Sequence, residues 1–382
     1  MQFLYENQNI HENQNIPPLL TQTIRDTPSL HPYFENNFRG IKPKNHCGFL
    51  LIEGESYFII PKIIKKENSD TENLNIFIYM LIYANGIKLK HEDIMHGQME
   101  EHHMLELFIR LFSDALLEEF KKGVFKQYIT LQENLKVLRG KYIIEKNFHD
   151  FYHQNIYCEF DEFSMDNALN QFFVYAIRIF KRFSNYGNLH RCEAVLDEVA
   201  YHNIDPKRVE LQFDRMNARY QKSYEVAMMI LQKLVPMTKK SHDKSFAFLF
   251  DMAEVFEEFI GKIYQEIDTS TQLQRQRNFG SLHLKPDIIT ATKIIDTKYK
   301  KVNHRENLNT QDKYQMYVYG KNFQCKDTML LYPKHLIDID DSLKLGKGDD
   351  LIGLRMKSLD LGFNGGYSEY IDEMIKRVEN MI

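Results

Sequence analysis

The chain has 382 residues, with 49 Lys+Arg against 53 Asp+Glu, a formal net charge of −4 and a pI near 6.4. That balance excludes the global basic field of a stand-alone nucleic-acid binder, while the length suits two domains and the 43% hydrophobic content a large core. No stretch runs to 18 apolar residues and no basic-then-apolar leader opens the chain, so a soluble, non-exported, cytoplasmic protein is expected. Cys47, Cys158, Cys192 and Cys325 lie far apart without a CxxC, which argues against zinc or iron–sulfur ligation and suits buried thiols.

Residues 1–36 repeat ENQNI and are poor in apolar side chains, so a weakly ordered Asn/Gln-rich extension is expected there. GFLLIEGESYFIIP (48–61) reads as a hairpin turning at Gly54-Glu55, and 73–84 and 101–121 read as helices. His102-His103 is no metal site, because adjacent helical residues point apart. Residues 130–144 are strand-like with a turn near Arg139-Gly140. A domain boundary is placed near 160, where Ser164 or Asp166 can cap a helix over 168–183, and helices follow near 189–203 and 221–234. FAFLFDMAEVFEEFIGKIYQEI (246–267) carries an apolar stripe at helical spacing, and Thr328–Tyr332, ended by Pro333, reads as a strand of a central sheet. The expected class is α+β, with an N-terminal domain over 37–160 and a helical layer plus core over 161–382, the core itself at about 245–335.

The chemistry concentrates in SLHLKPDIITATKIIDTKYK (281–300). If Ile288–Thr290 and Lys293–Ile295 pair as antiparallel strands around Ala291-Thr292, Thr290 faces Lys293 and Asp287 comes opposite Asp296, roughly 5 Å apart at Cβ. Lys298 lies two residues beyond Asp296, on the same face. Facing carboxylates repel unless a cation lies between them or a pKa rises. Two acids and a lysine at a strand end are what a Mg²⁺-dependent phosphodiesterase needs. A blander reading stands beside it: Pro-Asp is often a turn, and Asp-Thr-Lys a solvated face. On the upstream helix, Glu257 falls beside the apolar stripe whereas Glu254 and Glu258 fall on the far side, so Glu257 either reaches the strand ends or is an ordinary boundary residue. Gln315 and Tyr319, four apart on a helix, either support the lysine and a substrate phosphate or are a solvated Gln and a core Tyr. Arg275, Arg277, Lys285, Lys293, Lys298, Lys300, Lys301 and Arg305 gather around this region as a local basic patch, with Lys300 and Lys301 individually read as solvated.

The ordered series FLFDMAEVFEEF, LKPDII, IIDTKYK and QDKYQMYVYG resembles the C-terminal nuclease region of the McrC family. GFLLIEGESYFIIPKI, VLRGKYIIEKN and YCEFDEFSMDNALNQ resemble its N-terminal region, so the likeness spans about residues 45 to 335. The Asp-Xaa-Lys pattern is that of the PD-(D/E)xK superfamily, and the Gln-Xaa-Xaa-Xaa-Tyr helix is similar to that of RecB-like nucleases. The resemblance implies a restriction-endonuclease-like α/β core with a mixed central sheet. Asp287 and Asp296, the Thr297 carbonyl and Glu257 would hold Mg²⁺, with Mn²⁺ as a substitute ion. Lys298 would orient water and stabilise charge, with Gln315 and Tyr319 as supports. It also implies DNA as substrate and a hetero-oligomeric complex with an McrB-like AAA+ GTPase, docked through the N-terminal domain and stimulated by it. The chain has no GxxxxGK[ST], so it is not itself the nucleotide binder by that route. Two alternatives stay open: a self-sufficient RecB-like nuclease, and a non-catalytic activator that keeps the fold as scaffold.

Overall fold

A computed structural model describes residues 2–10, 18–38, 40–62, 70–87, 104–148, 154–237, 245–300, 309–335 and 338–381. The chain divides into two compact units, one of Met1–Gln98 with Leu234–Ile382 and the other of Met99–Lys233. The boundary expected near 160 is therefore not where the chain divides; the second unit is an insertion between two halves of the first. His102-His103, Lys301 and Arg305 lie outside the described residues.

The first unit holds two main sheets. One has five strands in the order Gln2–Tyr5, Glu55–Ile60, His46–Ile52, Phe246–Asp251, Leu234–Pro236. Its N-terminal strand corrects the expected loose extension. Gln2–Tyr5 pairs parallel with Tyr57–Ile60, Ile10 bridges Ile41, and a helix spans Pro18–Asp26. Apolar residues there are few, but Leu4, Ile10, Leu20, Ile24, Leu30 and Phe34 are all buried. The hairpin at 48–61 forms as expected, with its turn one residue earlier, at Glu53-Gly54, both at positive φ (49° and 87°).

A second correction concerns Phe246–Asp251. It is a strand, not the first turns of a helix, because FAFLF is buried along its whole length between two neighbours, and a strand covered on both faces reads as a continuous apolar run. Asp251 then starts the helix Met252–Ile267 by accepting the Ala253 N–H at 2.8 Å. Gly48, opposite Leu249, has φ +139°, and a Cβ there would sit 2.2 Å from the Phe248 carbonyl oxygen. Gly48→Ala is expected to cost more than about 2 kcal/mol in a urea unfolding titration, since both the backbone conformation and the close approach forbid a side chain.

The other sheet has six strands: Gln272–Leu273, Ile288–Ile289, Ile294–Thr297, Asp327–Pro333, Ile352–Leu359 and Asp340–Leu345. It is mixed, with parallel pairing from Ile294–Thr297 through Asp327–Pro333 to Ile352–Leu359 and antiparallel pairing elsewhere. The parallel step is bridged by the helix Thr310–Asn322, capped by Asn309. Met316 and Tyr319 of that helix join Ile294, Leu330, Tyr332, Leu354 and Met356 in one core.

The second unit packs the helices Met104–Lys121, Ala168–Phe180, Gly187–Val195 and Gln221–Lys233 around buried Phe108, Phe112, Phe172, Phe173, Phe180 and Tyr220. Asn167, not Ser164 or Asp166, caps the second of these. The strand-like 130–144 does not fold back on itself: Gln127–Leu135 and Lys141–Tyr142 both pair with Ile156–Ser164, which lies between them. Gly140, at φ +70°, permits this, because a Cβ would meet the Glu159 carbonyl oxygen at 2.3 Å. Among the described residues no helix is long and apolar enough to cross a membrane.

Candidate active site

The ribbon pairs in the expected register: Ile288 with Ile295 and Ile289 with Ile294, and the Thr290 N–H donates to Lys293 O at 2.9 Å. The Ala-Thr turn, a poor choice for a two-residue hairpin, is held by Thr290 Oγ1, which accepts the Lys293 N–H at 3.0 Å. Counting outward sets Asp287 against Asp296.

The two acids differ in environment. Asp287 is half-buried, and its Oδ2 accepts the Thr297 N–H (2.7 Å) and the Thr297 hydroxyl (2.9 Å). Asp296 is 1% exposed, and burial first, then the Asp287 charge, push its carboxyl up to about 7 despite Lys298 beside it. Lys298 Nζ is 2.5 Å from Asp296 Oδ2, a close ionic contact that holds the ammonium against this buried oxygen. Burial works to lower the Lys298 pKa, but Asp296 outweighs it and the ammonium is held above its ordinary value. At neutral pH this lysine is a fixed cation and no proton acceptor.

Lys298 is steered from the side. Its Nζ donates to Gln315 Oε1 (3.0 Å), Gln315 Nε2 donates to Tyr319 OH (2.8 Å), and that hydroxyl donates to Lys285 O (3.1 Å), two residues before Asp287. The Gln–Tyr pair thus ties the lysine to the strand that carries the opposing acid. Glu257 is half-buried on the helix Met252–Ile267. Burial and the Asp287 charge raise its pKa, which puts it within electrostatic reach of the cluster.

Three residues escaped the reading from sequence. Gln274 donates from Nε2 to Glu257 Oε1 (2.6 Å) and from its backbone N–H to Asp287 O (2.8 Å), with φ +46°. A polar residue at positive φ beside an acid pair is a signal visible only in coordinates. Asp312, 6% exposed, takes Lys300 through both oxygens (2.9 and 3.1 Å), and Lys300 is itself exposed, as expected of it. Tyr299 is buried and donates to Glu6 Oε2 at 2.6 Å. Of the basic patch, Lys293 is only 5% exposed and cannot serve a surface phosphate, whereas Arg275, Arg277 and Lys285 are exposed.

The residues fit a hard divalent cation. Asp296, buried and held by Lys298, faces the second carboxylate of Asp287 across the ribbon, and oxygen donors of this kind suit Mg²⁺. Among the described residues no three Asp, Glu, His or Cys side chains converge as a group that could hold a metal ion.

Fold and site together define a mixed α+β protein whose carboxylate–lysine cluster lies at the ends of neighbouring sheet strands. The chain belongs to the family of McrBC 5-methylcytosine restriction system components, whose model matches residues 41–333. Among solved structures it is similar to McrC bound to McrB AAA+ hexamers of Thermococcus gammatolerans, a half-complex refined from a tetradecameric assembly, with a TM-score of 0.63 and 19% identity over 100% of this chain and 99% of that one. A cryo-EM structure of the T. gammatolerans McrBC complex aligns at 0.50 with 22% identity, over 69% of this chain and 86% of that one. At these identities the likeness establishes the fold alone. No curated protein matches the chain.

Proposed function

We propose that the chain is the Mg²⁺-dependent DNA endonuclease subunit of a McrBC-like restriction system, with a PD-(D/E)xK core, working in complex with an AAA+ GTPase that it stimulates. The observation that carries the reading is the facing pair Asp287–Asp296 with Lys298 fixed between Asp296 and Gln315. Asp287 and Asp296, with the Thr297 carbonyl, would hold the ion, and Glu257 would complete the acidic cluster directly or through a water. When bound, the ion polarises the scissile phosphate and lowers the pKa of a water. Lys298, held cationic, orients the attacking water and stabilises the charge that grows on the phosphate, a fixed donor in a half-buried site. Gln315, steadied by Tyr319, gives the ammonium a second oxygen partner beside Asp296. Lys298→Ala is expected to abolish cleavage of linear and circular DNA in the presence of the GTPase and GTP, while stimulation of GTP hydrolysis survives. Cleavage at the parental rate would remove the lysine from the mechanism.

The partner-docking surface assigned to the N-terminal part falls, in this reading, on the small three-stranded sheet of the second unit. Tyr128, Val137, Tyr142, Ile144, Phe148 and Phe163 are all exposed by 46% or more around it, a concentration that isolated surface apolar residues do not make. Replacing Ile144 and Phe148 by serine is expected to weaken association with the AAA+ hexamer at least tenfold in a pull-down titration, with the thermal midpoint of the chain unmoved. Partner-free cleavage of DNA by the purified chain would instead favour the self-sufficient RecB-like alternative.

A further inference from the structure

Between Asp268 and Asp287 lie 18 residues without an acid, although the chain as a whole is acidic. The stretch holds Arg275, Arg277, His283 and Lys285, and its middle forms a two-stranded ribbon, Arg277–Phe279 with Leu282–Leu284, turning at Gly280. Both legs end at the candidate site: one at Gln274, which contacts Glu257 and Asp287, and the other at Asp287 itself.

The two faces of the ribbon are unlike. Leu284 and Phe279 pack on the sheet core, and the Arg277 guanidinium lies 5.5 Å from the Phe323 ring centre. Asn278 and His283, directly opposite each other, take the other face. Both are exposed, and their side chains hold each other at 2.8 Å between Nδ1 and Oδ1. That contact leaves the far imidazole nitrogen and the amide nitrogen outward, one acceptor and one donor side by side when Nδ1 carries the proton. His283 lies four residues from Asp287, a span of at most about 13 Å of extended chain. A duplex whose phosphate sits at Asp287 therefore has a groove of about 12 Å within the ribbon's reach, and a two-stranded ribbon fits that groove.

Resting on the nuclease reading above, we propose that this ribbon is a duplex-holding arm. Arg275, Arg277 and Lys285 grip phosphates next to the scissile one, and the Asn278–His283 pair faces base edges in the adjoining groove. The arm sets where along the duplex the cut falls, independently of whatever the partner recognises.

The test uses the chain assembled with its AAA+ GTPase, GTP and Mg²⁺ on duplex DNA, with Asp296→Asn as reference and GTPase stimulation as the check on folding. Arg275→Gln/Arg277→Gln is expected to cut at least tenfold more slowly at 50 mM salt. Losing two phosphate contacts changes the log–log salt slope by about 1.8, so the gap to wild type should narrow roughly tenfold by 200 mM. Asn278→Ala/His283→Ala is expected to keep most of the rate but redistribute the mapped cut positions. If both double variants reproduce the wild-type rate, salt response and cut map while Asp296→Asn is inactive, the arm is overturned and the nuclease reading stands. A rate deficit of the arginine variant that does not change with salt also overturns it. If Asp296→Asn cuts like wild type, the nuclease reading itself falls.

Discussion

Replacing Asp296 by asparagine is expected to stop DNA cleavage, by about three orders of magnitude or more, and to leave the fold standing. The carboxylate is buried against a second acid, so its charged form is tolerated only because Lys298 touches it. The same residue sets a pH dependence whose sign follows from its raised pKa. Between roughly pH 4 and pH 7 the native chain binds a proton there that the unfolded chain has already released, so the unfolding free energy of the metal-free protein falls as pH rises through that window. The asparagine variant lacks that fall. Urea midpoints at pH 5 and pH 8 in EDTA read the difference directly, and wild type and variant should diverge only through this interval. A divalent ion competes with that proton, so Mg²⁺ or Ca²⁺ affinity, read by calorimetry, should strengthen with pH up to about 7 and level off above it. A metal affinity equal at pH 5.5 and pH 8 would take Asp296 out of the ligand set.

Glu6→Ala should produce the largest loss of stability of any single change considered. Glu6 is 1% exposed. Its Oε1 faces Lys62 Nζ at 2.9 Å, and its Oε2 accepts the Tyr299 hydroxyl at 2.6 Å, the Lys62 N–H at 3.0 Å and the Cys47 thiol at 3.6 Å. Burial, with Glu6 adding to it, pushes the Cys47 thiol well up, so it stays a protonated donor and not a nucleophile. Lys62 also lies 4.3 Å from the centre of the Tyr299 ring. Truncating the glutamate strands a buried ammonium, an amide and a phenol together, and removing one partner of such a pair costs about 3–5 kcal/mol. Denaturant unfolding measures this, and adding Lys62→Met should recover a large part of it, because the uncompensated charge is then gone. A Glu6→Ala chain within about 1 kcal/mol of wild type would show that the pair is not the clamp described. Tyr299 follows Lys298 in the chain, so the variant should also lower cleavage at temperatures where it is still folded.

How far these features could be read from the residues alone depends on how local they are. The ribbon register was legible because Asp287 and Asp296 are equidistant from one turn, and any symmetric closure keeps them opposed. The Gln315–Tyr319 spacing was legible for the same reason, one helix turn. Phe246–Asp251 was misread because a solid aromatic run satisfies a helical stripe as readily as a strand covered on both sides, and only Asp251 marks the change. Glu6 could not be read at all: its one local partner is the neighbouring Asn7 side chain, and the groups that bury it come from 41, 56 and 293 residues away. The roles given to Thr297 differ in kind, since its N–H and hydroxyl fasten Asp287 whatever its carbonyl does.

The insertion of residues 99–233 into the other unit has a consequence for biosynthesis. Phe246–Asp251 pairs with His46–Ile52 across almost two hundred residues, so as the polypeptide leaves the ribosome the inserted module can finish folding while the five-stranded sheet still waits for its later members. The edge of His46–Ile52 that receives Phe246–Asp251 stays open through that interval. Closing it is a slow, non-local event that comes late, after the inserted module has had time to fold.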